Sequence, residues 1–122
     1  MTSPLFIPRL LAAAIGGLAL ALLTALAHQL TLFAGDATDW RSLGLPYGIA
    51  LGSLVLILWI RRVRGAWGAA AAGIMAVSWV SGTLVLASSS TDVLIAPNVI
   101  GITHMVVGAL CAVVAAGWPV RR

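Results

Sequence analysis

Two histidines are the side chains of this sequence with the widest range of possible chemistry. His28 and His104 each lie inside a long apolar run, where an ionisable side chain is a candidate for ligand, proton or metal binding. Two histidines that face each other across a gap could also be the axial ligands of a b-type haem. The alternative is structural, because polar side chains often hydrogen-bond across membrane helices and fix their register.

Thr24 and Ser78 join the two histidines in a possible polar or ligand layer, because their hydroxyls fall in the same half of the predicted spans. We favour the structural interpretation of this layer. Haem b or quinone binding through His28 and His104 stays an alternative, and a small transporter or channel is a further one. No cofactor or metal is predicted.

Charged and nucleophilic side chains are scarce where chemistry would need them. The three acidic residues, Asp36, Asp39 and Asp92, all fall between the apolar runs. A proton-coupled exporter of this size is expected to hold a carboxylate in its first helix, and none is present there. The sequence has no nucleophile–base pair, phosphate-binding loop or metal-ligand spacing, and its single cysteine, Cys111, excludes an intrachain disulfide. We therefore expect no catalysis by this chain alone.

The composition indicates a membrane protein. The chain has 122 residues, 61% of them hydrophobic and 8% charged, against roughly 25% charged in soluble globular domains. A soluble domain this small could not bury so much apolar surface. This composition is therefore typical of a protein that is surrounded by lipid.

Four apolar runs predict four transmembrane helices, over about residues 10–33, 43–60, 66–87 and 96–118. Each is close to the length that crosses a bilayer. Short connections make consecutive helices antiparallel neighbours. The predicted fold is therefore all-α: one transmembrane domain over residues 1–122, an antiparallel up-down bundle of four helices.

The first run has a competing interpretation. Arg9, the apolar residues after it and Ala25-Leu26-Ala27 are also typical of a signal peptide with its cleavage site. The apolar run is long for a signal peptide and continues past that site to Phe33, which favours a retained membrane helix. Cleavage stays open.

The basic residues predict the orientation in the membrane. With four crossings, one side holds only basic residues and the other holds the three acids with Arg41. An excess of arginine marks the cytoplasmic side, so both termini are predicted to lie in the cytoplasm of a bacterium, with the protein in its plasma membrane. The arginines would set topology and hold lipid headgroups rather than nucleic acid; they are Arg9, Arg61, Arg62, Arg64, Arg121 and Arg122.

Small residues mark the faces on which the helices should pack. In lipid, helices associate by close approach rather than by hydrophobic exclusion. The predicted packing glycines are Gly17, Gly48, Gly52, Gly82, Gly101 and Gly108. A bundle built this way suggests a structural or accessory protein that packs with itself or with a larger membrane complex.

The second half of the chain also resembles a known family. The segment Arg64-Gly65-Ala66-Trp67-Gly68-Ala69-Ala70, the segment Asp92-Val93-Leu94-Ile95, and the glycines at 101 and 108 are similar to those of small actinobacterial membrane proteins of four helices. That family has no assigned function, so the resemblance implies the fold alone. His104 stands near a position where the family usually has an aromatic residue.

Overall fold

The protein is all-helical over the residues that the structure, a computed structural model, describes: 4–27, 47–88 and 99–121. Its four helices are α1 (Phe6–Ala27), α2 (Tyr47–Trp67), α3 (Ala69–Ser88) and α4 (Val99–Gly117). His28 and the predicted limits at 33, 43 and 96 lie outside the described residues.

Three of these helices are long and apolar enough to cross a membrane: α1, α3 and the Ile100–Gly117 part of α4. The α2 helix has 21 residues, but Arg61, Arg62 and Arg64 lie near its end. Its outward side chains are nevertheless apolar, since Leu51, Leu54 and Leu58 are all exposed.

Three helix boundaries differ from the predicted spans: the start of α1, the end of α2 and the start of α3, which is Ala69 rather than residue 66. The α1 helix begins at Phe6, so Arg9 lies within its first turn and a half rather than before it. The α2 helix continues through the arginines to Trp67 instead of ending near 60. Because arginine is a good helix former, the helix can continue through the charged segment that follows the apolar span.

Gly68 separates α2 from α3. Its φ of 95° lies in the left-handed region, which glycine adopts without the penalty that a Cβ brings. Its N–H donates to the Arg64 carbonyl at 3.0 Å, and its own carbonyl accepts from the Ala72 N–H at 3.3 Å. One glycine therefore both terminates α2, as a left-handed cap does, and starts α3.

The largest helix–helix interfaces are not between consecutive helices. The most extensive interface joins α1 to α3, and the next joins α2 to α4. Helices α1 and α3 are parallel. Gly17 lies against Met75, and Ala21, further along α1, lies against Gly82, further along α3. Consecutive helices also touch, whereas α1 and α4 make no close backbone contact among the described residues.

The core is built mostly from small side chains around a few large ones. The largest fully buried side chains are Trp79, Leu56, Ile60, His104 and Thr83. Around them lie buried alanines on three helices, among them Ala13, Ala21, Ala71, Ala72, Ala112 and Ala115. The leucines of α1 mostly point outward, as expected for a bundle with lipid outside and small residues at its contacts.

The Gly68 turn gives a direct stability test. Gly68→Ala should lower the free energy of unfolding by about 1–2 kcal/mol, because alanine is strained at positive φ. Gly73→Ala is the matched control: Gly73 is inside α3, its added Cβ would meet nothing within 4 Å, and alanine there should stabilise by about 0.5–1 kcal/mol. Reversible unfolding in mixed micelles measures both. Equal effects of the two substitutions would rule out this role for Gly68.

Candidate functional site

Three of the four residues of the predicted polar layer lie in the described part of the chain. Thr24 of α1 and His104 of α4 are buried, at 3% and 2% exposure, and Ser78 of α3 is half-buried. Thr24 and His104 are brought to the same place by a residue that was not predicted to take part, Trp79 of α3.

Trp79 is the centre of the bundle. Its side chain is 1% exposed, and its indole Nε1 donates a hydrogen bond to Thr24 Oγ1 at 3.0 Å. Thr24 Oγ1 in turn donates to the Leu20 carbonyl at 2.8 Å. Both polar groups are therefore satisfied inside the apolar interior, where an unsatisfied one would be costly.

The same indole meets α4 on its other side. The Trp79 and His104 rings lie 5.7 Å apart between centroids, with an angle of 70° between their planes. This edge-to-face arrangement is the one that aromatic rings favour. Trp79 thus connects α1, through a hydrogen bond, to α4, through a ring contact.

Glycines make the space that this large side chain fills. A Cβ added to Gly108 of α4 would collide with the six-membered ring of Trp79. On α2, Gly52 lies against Thr24, and an added Cβ would be 3.4 Å from Thr24 Cγ2. Residues of α1, α3 and α4 therefore meet at one indole, and α2 joins them through Thr24. We call this group the tryptophan layer, formed by Thr24, Gly52, Trp79, His104 and Gly108.

The other predicted packing glycines are buried as well. All six, on α1 to α4, are buried. At Gly17 a Cβ would collide with the Met75 carbonyl oxygen, and at Gly82 it would lie 2.8 Å from Ala21 Cβ. These two glycines allow α1 and α3 to approach closely where Gly17 lies against Met75 and where Ala21 lies against Gly82.

The hydroxyl groups of the interior are turned mostly toward their own helices. Thr83 Oγ1 donates to the Val80 carbonyl at 2.8 Å, as Thr24 does to its own preceding turn. Ser53 of α2 has a buried Oγ that makes no hydrogen bond to a described residue. The threonine hydroxyls therefore serve the packing of the bundle rather than a bound ligand.

The arginines of α2 make contacts within the protein that their predicted topology and headgroup roles do not require. Arg61 Nη1 donates to the Trp118 carbonyl at 2.9 Å, and Arg64 Nη1 donates to the Ala116 carbonyl. The last carbonyls of a helix have no partner within it and form the negative end of its dipole. Two cations from α2 therefore cap the C-terminal end of α4. Arg62 is exposed, and Arg9 and Arg64 are half-buried.

The site offers little in the way of catalytic or metal chemistry. Across residues 4–27, 47–88 and 99–121, no three histidine, cysteine or acidic side chains lie together. The thiol of Cys111 is half-buried between α2 and α4. His104 is packed against Trp79, and the second histidine that haem ligation would require, His28, is outside the described residues.

Trp79 is the residue that sequence reasoning missed, and a signal for it was present. Tryptophans of membrane proteins concentrate at the two interfaces, whereas Trp79 stands in the middle of the third predicted span. It also lies three residues before Gly82, which was already predicted to pack, and therefore on the same side of the helix. A mid-span tryptophan on a small-residue face indicates a side chain that fills a gap between helices.

Comparisons with protein-family models, with curated proteins and with solved structures find no match to this chain.

The contact between Trp79 and Gly108 can be tested by a compensating pair. Gly108→Ala should destabilise the protein by about 1–3 kcal/mol, the usual range for overpacking. Gly117→Ala, on the same helix with nothing within 4 Å of the added Cβ, is the control and should be nearly neutral. Trp79→Phe removes the ring that collides, so Gly108→Ala should be much less harmful in that background. Strictly additive losses in the double variant would contradict the contact.

Proposed function

We propose that this chain is a small multi-pass protein of the bacterial plasma membrane that crosses four times, with both termini in the cytoplasm. Three helices have the length and composition of membrane spans. The α2 helix contacts each of the other three, and its outward leucines require an apolar surrounding. These features support a fourth crossing by α2 in an antiparallel up-down bundle.

The distribution of charge supports the orientation. The arginines of α2, with Arg9 and the terminal pair Arg121 and Arg122, would lie at one end of such a bundle, and the three acids at the other. Basic residues are retained on the cytoplasmic side. Gly68 lies between two helices at the arginine end, which would make its turn a cytoplasmic one.

We infer a structural or accessory role, in which the bundle packs with itself or with a larger membrane complex. The tryptophan layer is the observation that carries this inference. A transporter or channel needs a polar or charged path between its helices. Here a buried indole fills the centre, and the buried polar side chains of the described residues are Thr24, Ser53, Thr83 and His104, none of them an acid, lysine or arginine.

The outer surface offers places for a partner. On α1 the side chains of Leu11, Ile15, Leu18 and Leu22 are all exposed, at spacings of four, three and four residues. This alternation is the pattern of a left-handed helix–helix seam. The described interface of α1 with α3 centres on the glycine-bearing face, and Leu18 borders it beside Gly82. The exposed surface that runs from Leu11 and Ile15 along the outer side of Leu18 and Leu22 is available to lipid, to a second copy or to another membrane protein. Membership of the actinobacterial family that the second half resembles is part of the same proposal.

Two variants of His104 can distinguish a packing role of this side chain from a role as a haem ligand. The purified protein should show no Soret band, and His104→Phe, which keeps a ring against Trp79, should be clearly more stable than His104→Ala. Loss of a buried ring leaves a cavity and costs about 3–5 kcal/mol, of which an aromatic pair accounts for roughly 0.5–1.5 kcal/mol. Absorbance and unfolding in micelles measure the two properties. A Soret band that both variants lose equally would replace the structural role with haem ligation.

A further inference from the structure

A groove runs along the contact between α2 and α4 at the arginine end of the bundle. Its volume is about 410 Å³. Its walls are apolar except for one charged side chain; the residues that line it are Ile57, Arg61, Leu110, Cys111, Val114, Ala115 and Trp118. On the α4 side Leu110, Val114 and Trp118 are more than half exposed, so the groove opens sideways, toward the lipid that would surround the bundle.

The charged end of this groove is held in place. Arg61 Nη1 donates to the Trp118 carbonyl, which fixes the guanidinium beside the last turn of α4. A guanidinium has five N–H donors in a planar fork, and this bond uses one of them. Arg61 is only half-buried, so its remaining donors are accessible to an anion at the mouth of the groove.

We propose that this groove binds an anionic phospholipid, with the phosphate on Arg61 and an acyl chain along Ile57, Leu110 and Val114. An apolar groove that ends at a fixed cation matches the charge and shape of such a lipid. Guanidinium binds phosphate through paired hydrogen bonds. Trp118, exposed beside Arg61, is the residue type found at headgroup level.

The proposal rests on the membrane placement given above. The arginine end would face the cytoplasmic leaflet, where anionic lipids are enriched. Arg61 then has two roles at once: it caps α4 and it selects the headgroup charge. Arg62 lies next to it in sequence but is exposed and does not line the groove.

Cys111 provides a probe inside the groove, because it is the single cysteine of the chain. We would measure its rate of alkylation by N-ethylmaleimide in micelles during titration with phosphatidylglycerol or with phosphatidylcholine of the same acyl chains. Phosphatidylglycerol should slow alkylation at lower concentrations than phosphatidylcholine. Equal protection by the two lipids would overturn the proposal, as would equal protection by glycerol phosphate, which has no acyl chain.

Two arginine variants then separate this groove from diffuse surface charge. Arg61→Gln should raise the phosphatidylglycerol concentration for half-protection by about tenfold, since it removes a charge-assisted hydrogen bond. Arg62→Gln removes the same charge from the same segment and should leave half-protection nearly unchanged. If Arg61→Gln does not fold, Arg61→Lys keeps the charge and should keep the preference for phosphatidylglycerol, though more weakly.

A shift of equal size in the Arg61 and Arg62 variants would overturn the proposal, because general surface charge would then account for the protection. Loss of the lipid preference in Arg61→Lys would do the same. Either result would leave the number of membrane crossings untouched, since labelling in micelles does not depend on the side that the arginine end faces.

Discussion

The bundle depends on the fit of the Trp79 indole of α3 into a gap that small residues leave between α3, α1 and α4. In a bilayer, moving an apolar side chain from lipid into a helix interface gains no hydrophobic free energy. Close van der Waals contact and interhelical hydrogen bonds therefore hold the helices together. Trp79 supplies both: it packs over Gly108, meets the edge of His104 and donates to Thr24. The remaining helix, α2, reaches this layer through Gly52, which lies against Thr24. Trp79 therefore contacts both α1 and α4 directly, and α2 is linked to it through Thr24.

In the membrane placement that we propose, polar groups inside the bundle must be satisfied by the protein, because the hydrocarbon offers no partner. Thr24 and Thr83 bond carbonyls of their own helices, and the indole N–H bonds Thr24. At the arginine end, Arg61 and Arg64 bond the final carbonyls of α4. The arginines that indicate orientation in the sequence thus also tie α2 to α4, where neither helix has a glycine contact.

Much of the fold follows from sequence pattern, and the remainder follows from contacts that pattern cannot specify. Long apolar runs predicted four helices, and small-residue spacing pointed to glycines that lie buried. The α2 boundary was placed too early because charge ends a membrane span but not a helix; the break occurs at Gly68, where the backbone needs positive φ. The polar layer was predicted from hydroxyls and histidines, so Trp79 was overlooked. The pairing of α1 with α3 was not predicted either, since short connections favour only consecutive neighbours.

The proposed topology has four membrane crossings, and the number is three or four according to whether α2 spans the membrane. With α2 in the membrane the two termini lie on one side, whereas three crossings would put them on opposite sides. Single cysteines at positions 3, 89 and 120, in a Cys111→Ser background, can be labelled in intact cells with a membrane-impermeant maleimide. Positions 3 and 120 should react only after permeabilisation and position 89 without it, as expected for a cytoplasmic arginine end. Labelling of positions 3 and 120 from opposite sides would contradict the four-crossing bundle.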